Sequence, residues 1–165
     1  MYRKTFEGMN CSIARALEQV GEWWSLLIVR ECSLGTTRFD EFQHNLGIAR
    51  NVLTARLNSL IEHGVLERAT VEGQERRTEY LLTKKGEALY PVLVALMQWG
   101  DEWCDHKAPL QLVEHRSGKP VEPVAVRAGA HTLGLRDVRL EPGPGATART
   151  AGIIKRRNSA ILGVD

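Results

Sequence analysis

At 165 residues the chain suits one domain of comfortable size, or a small domain with an appendage, and can bury a real core. Hydrophobic residues make up 43% and charged residues 25%, an ordinary globular balance with no excess of any one residue. The net charge of +2 neither requires nor excludes a nucleic-acid partner, so that question rests on where the charges lie. No apolar run approaches the roughly 20 residues of a membrane span, and MYRKTFEGMNCS lacks the apolar core and cleavage pattern of a signal peptide. A cytoplasmic protein with no membrane partner is expected. Cys11, Cys32 and Cys104, odd in number and without a close pair, fit a reducing compartment better than a disulfide scaffold.

The first half of the chain reads as helices. In SIARALEQVG the apolar residues Ile13, Ala16, Leu17 and Val20 recur at the helical period, with Ser12 as N-cap and Gly21 as the stop. EWWSLLIVRECSLG comes next, with Trp24, Leu27, Ile28 and Leu34 on one face and Gly35 at its end. A third, short helix is expected to begin at Thr37, whose side chain would accept the amide of Asp40, and to bury Phe39, Phe42 and Leu46. Gly47 allows a tight turn. The fourth helix then runs from about Ala49 to His63, with Val52, Leu53, Leu57, Leu60 and Ile61 inward and Gly64 closing it.

Two short helices joined through a glycine turn form a helix-turn-helix pattern. Many helical hairpins are only core packing, so the segment behind the pair decides the reading. VLERATV and RTEYLLT are short strands flanking the charged loop at Glu72 to Arg76. A hairpin directly behind a helix-turn-helix is the wing of a winged-helix domain. Its second strand brings the chain back to the body of the domain, where Thr83 caps a long helix. Leu89, Val92, Leu93, Leu96, Trp99 and Trp103 extend that helix's apolar stripe past Pro91, where a kink is expected. The stripe outruns the local core. It predicts a dimer interface, with Ile13 and Leu17 of the first helix as the other half; a C-terminal segment folded over it is the alternative.

Four segments, NCSIARALEQVGEWWSLLIVREC, RFDEFQHNLGIARNVLTARLNSLIEHGVLER, RTEYLLTKKGEAL and LMQWGDEW, resemble the HxlR-type winged-helix transcriptional regulators, relatives of the MarR group. The resemblance covers roughly residues 9 to 103. It implies a dimeric DNA-binding regulator, often a repressor of genes for aldehyde, quinone, oxidative or drug stress. Cys11 matches the N-terminal cysteine that serves some members as a redox switch. A cysteine near a helix N-terminus favours the thiolate and hence oxidation or alkylation; a small buried hydrophobe is the plainer reading. Cys32 reads as core. Trp23, Trp24, Trp99 and Trp103 are either core or the lining of a pocket for an aromatic effector.

On the fourth helix the residues outside the apolar stripe are short or hydrogen-bonding, with two arginines and no acid before Glu62. That composition suits the major groove, where arginine reads guanine and asparagine reads adenine. Arg50, Asn51, Thr54 and Arg56 are the candidates for base or phosphate contact. Thr37 and Arg38 open the preceding helix, whose amides can hold a phosphate. Arg76 and Arg77 can reach DNA from the wing, with Glu72 and Glu75 reducing the local positive charge. A two-fold dimer implies double-stranded DNA with a pseudo-palindromic operator; the resemblance implies an oxidant or small molecule as effector.

From about Pro109 the chain alternates and is rich in Gly, Pro and Val, which predicts two or three short strands. This part resembles the C-terminal extension of longer family members, a degenerate zinc-ribbon-like unit. Its two turns here read HRSGK and VRAGAHTL, without cysteine, so neither a metal site nor a cofactor is expected. His115 and His131 would be half of a poor site.

The expected fold is therefore mainly α with a β-wing: a winged helix-turn-helix and dimerisation domain over 1–107, a small β-rich module over 108–146, and a basic tail over 147–165. The tail carries Lys155, Arg156 and Arg157 and is expected to be flexible, or else to grip DNA. No glycine-rich phosphate loop, nucleophile elbow or paired carboxylates point to an enzyme. The competing reading is a protein-interaction module on a winged-helix scaffold without DNA binding.

Overall fold

The computed structural model describes residues 5, 6, 8–71, 74–104 and 107–163, the side chains of 71 and 74–77 excepted. Its elements run α1 (Ser12–Val20), α2 (Trp23–Ser33), α3 (Phe39–Leu46), α4 (Arg50–Glu62), β1 (Leu66–Val71), β2 (Gln74–Leu82), α5 (Lys84–Glu87), α6 (Tyr90–Trp103), β3 (Arg127–Ala128), β4 (His131–Thr132) and α7 (Ala148–Leu162). They fall into two compact units, residues 16–121 and residues 1–15 with 122–165.

The larger unit is built around apolar positions that the helical period brings to one side. Leu53, Leu57 and Leu60 of α4 meet Ile28 and Val29 of α2 and Phe42 of α3, all essentially inaccessible to solvent. Phe42 meets Tyr80 of β2 edge to face, 6.3 Å between ring centroids, a favoured aromatic geometry. Gly47 ends α3 in the left-handed conformation (φ 61°), where a side chain would be strained. Past α4, the Val65 amide reaches back to the Leu60 carbonyl at 2.8 Å, which closes the helix and starts the wing.

β1 and β2 pair antiparallel, from Leu66 opposite Leu82 to Thr70 opposite Thr78. The Tyr80 amide donates to the Thr37 carbonyl at 2.8 Å, so the segment entering α3 is fastened to the wing's second strand. This changes the expected start of α3. Thr37 is not its cap. Arg38 takes that position, with its amide donating to the Glu41 carboxylate at 3.3 Å.

Thr83 does cap a helix, accepting the Gly86 amide at 3.2 Å, but only the single turn of α5. The long helix α6 starts afresh at Tyr90, with Pro91 in its first turn. The expected kink at Pro91 is therefore absent: in the first turn the missing proline N–H has no intrahelical partner to lose.

One buried charge organises the approach to α3. Glu31, 5% exposed, accepts from Arg30 at 2.6 Å, Asn45 at 2.9 Å and Thr36 at 3.1 Å. Burial acts to raise its pKa, but these three hydrogen bonds and the Arg30 charge outweigh it and hold it below its ordinary 4.5. A carboxylate with a lowered folded pKa adds stability that is complete above the unfolded value and disappears as pH falls through the folded one. Glu31→Gln should thus cost about 1–3 kcal/mol at pH 7. That deficit should shrink as pH drops below 4.5, read as urea midpoints of the two proteins against pH.

The smaller unit departs most from expectation. Its sheet is a two-residue hairpin, β3 with β4, turned at Gly129 (φ 60°). The isolated bridge Val113–Pro120 belongs to the larger unit. The prolines at 120, 123, 142 and 144 remove the donors longer strands would need. Residues 148–162 are not a flexible tail but the 15-residue helix α7, with Thr147 accepting the Thr150 amide at its start and Gly163 (φ 67°) at its end. Arg157 donates to the carbonyls of Leu135 (2.7 Å) and Val138. Asn158, buried, takes the Leu140 amide at 3.1 Å and gives to its carbonyl at 2.8 Å. Arg157 is thereby engaged in holding the unit together, whereas Lys155 and Arg156 are exposed.

Candidate nucleic-acid interface

Helix α4 presents Arg50, Asn51, Thr54, Ala55 and Asn58 to solvent. At 100° per residue these five fall within about 140° of helix circumference, one continuous stripe opposite the leucines. No acid occurs in the first turn. The Arg50 guanidinium lies over the Phe39 ring, 4.9 Å from its centroid, a stacking contact that steadies the side chain. The Thr54 hydroxyl donates to the Arg50 carbonyl at 2.8 Å, so it is already engaged with its own helix.

Arg56 is not part of this face. It is half-buried and pairs with Glu22 at 3.6 Å, and its Nε is buried without a hydrogen-bond partner. Arg38 is partly exposed, 3.4 Å from Asp40. Asp40 and Glu41 occupy the first turn of α3, so negative charge already stands at the amides expected to hold a phosphate. Thr37 contributes its backbone to the wing junction. The expectation at Arg76 and Arg77, with Glu72 and Glu75, falls on side chains outside the described residues.

One residue of this surface is not among those the sequence singles out. Arg68 of β1 is exposed and donates to Asn58 Oδ1 at 2.5 Å. It carries positive charge from the helix toward the wing and orients the Asn58 amide. Its signal is positional: an arginine two residues into a strand that leaves the end of α4.

The three cysteines differ in environment. Burial pushes the Cys32 thiol up to about 12, so it stays protonated and inert. Cys11 is half-buried directly before α1, and Cys104 is exposed at the end of α6. Among the tryptophans only Trp24 packs on the core. Trp23 (90%), Trp99 (60%) and Trp103 (66%) stand exposed. Leu89, just before α6, and Leu93 on it pack against the core, whereas Val92, Leu96, Trp99 and Trp103 are exposed; Ile13 and Leu17 on α1 are exposed as well.

A helix-turn-helix with an antiparallel wing and a second helix whose outer face carries no acid before its last residue, Glu62, defines a winged-helix DNA-binding transcriptional regulator. Within that class the chain belongs to the HxlR-like helix-turn-helix family, whose model matches residues 19–108. It is 41% identical over 150 residues to an uncharacterized HTH-type transcriptional regulator of Mycobacterium tuberculosis (strain ATCC 25618 / H37Rv), covering 88% of this chain and 93% of that one. Among solved structures it is similar to PA1607, a proposed transcription factor, with a TM-score of 0.77 and 43% identity over 84% of this chain and 99% of that one. It is also similar to the oxidized form of the redox regulator HypR, with a TM-score of 0.53 and 28% identity over 58% of this chain and 100% of that one. Among the described residues no helix is long and apolar enough to cross a membrane.

Proposed function

We propose that this protein is a cytoplasmic homodimer that binds a pseudo-palindromic operator, each subunit laying α4 in the major groove of one half-site, and represses by excluding polymerase. The observation that carries the reading is the exposed stripe of Arg50, Asn51, Thr54, Ala55 and Asn58, with an arginine at the start of the helix and no acid in its first turn. A solvated face would carry Glu and Lys. The test is a gel-shift titration on the DNA upstream of its own gene at two salt concentrations. Saturable binding to one fragment that weakens steeply with salt supports the reading. Failure across a genomic fragment library sinks it and favours a protein-interaction module.

Helix α6 forms the dimer seam. Val92, Leu96, Trp99 and Trp103 are 46–66% exposed at spacings of four, three and four residues, the pattern of a helix–helix seam. Leu96→Glu with Trp99→Glu should convert the protein to a monomer in sedimentation velocity, since two charges would be buried without partners. Operator affinity should fall about a hundredfold or more, because the second half-site is no longer tethered to the first.

The redox reading rests on Cys11, half-buried at the head of α1, and on likeness to HypR, a redox regulator. Diamide should weaken operator binding several-fold and dithiothreitol restore it, and Cys11→Ser should abolish the response. A Cys11→Ser protein that still responds to diamide removes Cys11 from the mechanism.

A further inference from the structure

A cavity of about 390 Å³ opens between α2, α6 and the segment 109–112, within the size range of small-molecule sites. Leu27, Leu93, Met97, Leu110 and Leu112 line it, and Arg30 brings the one charge. None of the four tryptophans lines it. An apolar chamber with a single arginine in its lining is complementary to a molecule with an apolar body and one anionic group. Among the described residues Glu31 is the one acceptor that the Arg30 side chain meets. A guanidinium has five N–H donors, so a second acceptor can be taken alongside it.

The same arginine connects the cavity to the DNA-binding elements. Arg30 donates to Glu31 at 2.6 Å, and Glu31 holds Thr36, which leads into α3, and Asn45, in its last turn. An anion drawing on Arg30 competes for the charge that keeps the Glu31 carboxylate in place. The buried carboxylate would then hold α3 less firmly, and α3 sets the position of α4. Two sites and a differential contact are what coupling between ligand and DNA needs.

We propose that this cavity binds an amphiphilic organic anion, with Arg30 taking the anionic group, and that occupancy weakens operator binding through the Arg30–Glu31–Thr36/Asn45 linkage. The first part stands on the cavity alone; the second rests on the protein being a DNA-binding regulator.

The test uses the full chain. Anilinonaphthalenesulfonate is titrated in by fluorescence and displaced with decanoate or decylamine. Decanoate should displace it at roughly tenfold lower concentration than decylamine, the effect of one charged hydrogen bond. Arg30→Met should bring that ratio close to one. Ser33→Phe, at the cavity wall, should reduce binding of both, with near-ultraviolet circular dichroism checking that the fold is kept. Equal displacement by the two amphiphiles, or a signal unchanged in Ser33→Phe, overturns the site. Leu96 lines the cavity and also stands in the proposed dimer seam. Probe binding only in a Val92→Glu, Trp99→Glu double variant, whose changes lie in the seam but outside the cavity wall, would make the cavity the seat of a second copy and overturn the proposal. In the second arm, saturating decanoate should raise the operator Kd at least fivefold in the wild type and leave Arg30→Met unaffected; an unchanged Kd overturns the coupling. The fluorescence arm needs no DNA, so failure of the regulator reading and failure of the cavity are read separately.

Discussion

Gly86→Ala should destabilise the larger unit by about 2–3 kcal/mol, because a methyl group has nowhere to go. A Cβ at this buried position would lie 2.3 Å from the Val65 carbonyl oxygen and 2.9 Å from Leu82 Cδ2. The oxygen cannot swing aside cheaply. It accepts the Thr83 amide at 3.1 Å and lies 3.2 Å from the Thr83 hydroxyl, which donates to the Gly64 carbonyl at 2.7 Å. The same residues close α4, lead into β1 and cap α5. Elsewhere in a helix, Gly→Ala gains up to about 1 kcal/mol; here the collision exceeds that gain. Thermal unfolding should show a Tm lower by roughly 10 °C. Gly152→Ala inside α7, where the methyl would meet only Arg156 Nη1 at 3.7 Å, should hold or raise the stability of its own unit. A Gly86→Ala protein as stable as the wild type would mean that the junction of α4, β1 and α5 is not close-packed.

The chain around that junction shows what local pattern can and cannot carry. Thr83 is readable as a cap because its partner is three residues away. The need for glycine at 86 is not, since the colliding atom belongs to Val65, 21 positions earlier. The four helices through Glu62 are legible because each combines a 3.6-residue apolar period with a glycine stop, Gly21, Gly35, Gly47 and Gly64, the last three with positive φ. The wing is legible from alternation. Composition groups Arg56 with Arg50, yet six positions round a helix is about 240°, and the partner of Arg56 is Glu22 of another segment. Leu89 and Leu93 share a period with Val92 and Leu96, and only packing separates core from exposed face. Helix α7 carries local signals of its own, Thr147 as N-cap and Gly163 as stop, but not the reason it is held. Much of its fixation comes from Arg157 and Asn158 gripping a segment some twenty residues earlier, and a short basic stretch gives no local sign of that.

Arg50 and Asn51 form the test that separates DNA recognition from a stabilising role. Arg50 is the first residue of α4, where the helix dipole disfavours a cation by a few tenths of a kcal/mol. Its stacking on Phe39 at 4.9 Å returns a similar amount at an exposed site. Folding therefore gains almost nothing from an arginine there, and an acid would serve it better. Arg50→Ala should leave Tm within about 2 °C of the wild type, since exposed substitutions of this kind stay within about 0.5 kcal/mol. Its operator affinity should nevertheless fall roughly tenfold to a hundredfold, the loss of one good base contact. Asn51→Ala should add a comparable loss. The two differ in their salt response. If Arg50 meets a phosphate, its removal lowers the slope of log K against log salt by about one; if it reads a base, the slope holds and discrimination between operator variants relaxes. Arg56→Ala supplies the contrast: it breaks the pair with Glu22 and should lower stability while leaving the salt slope alone. Binding by the Arg50→Ala, Asn51→Ala protein indistinguishable from wild type would move the operator contact off α4 altogether.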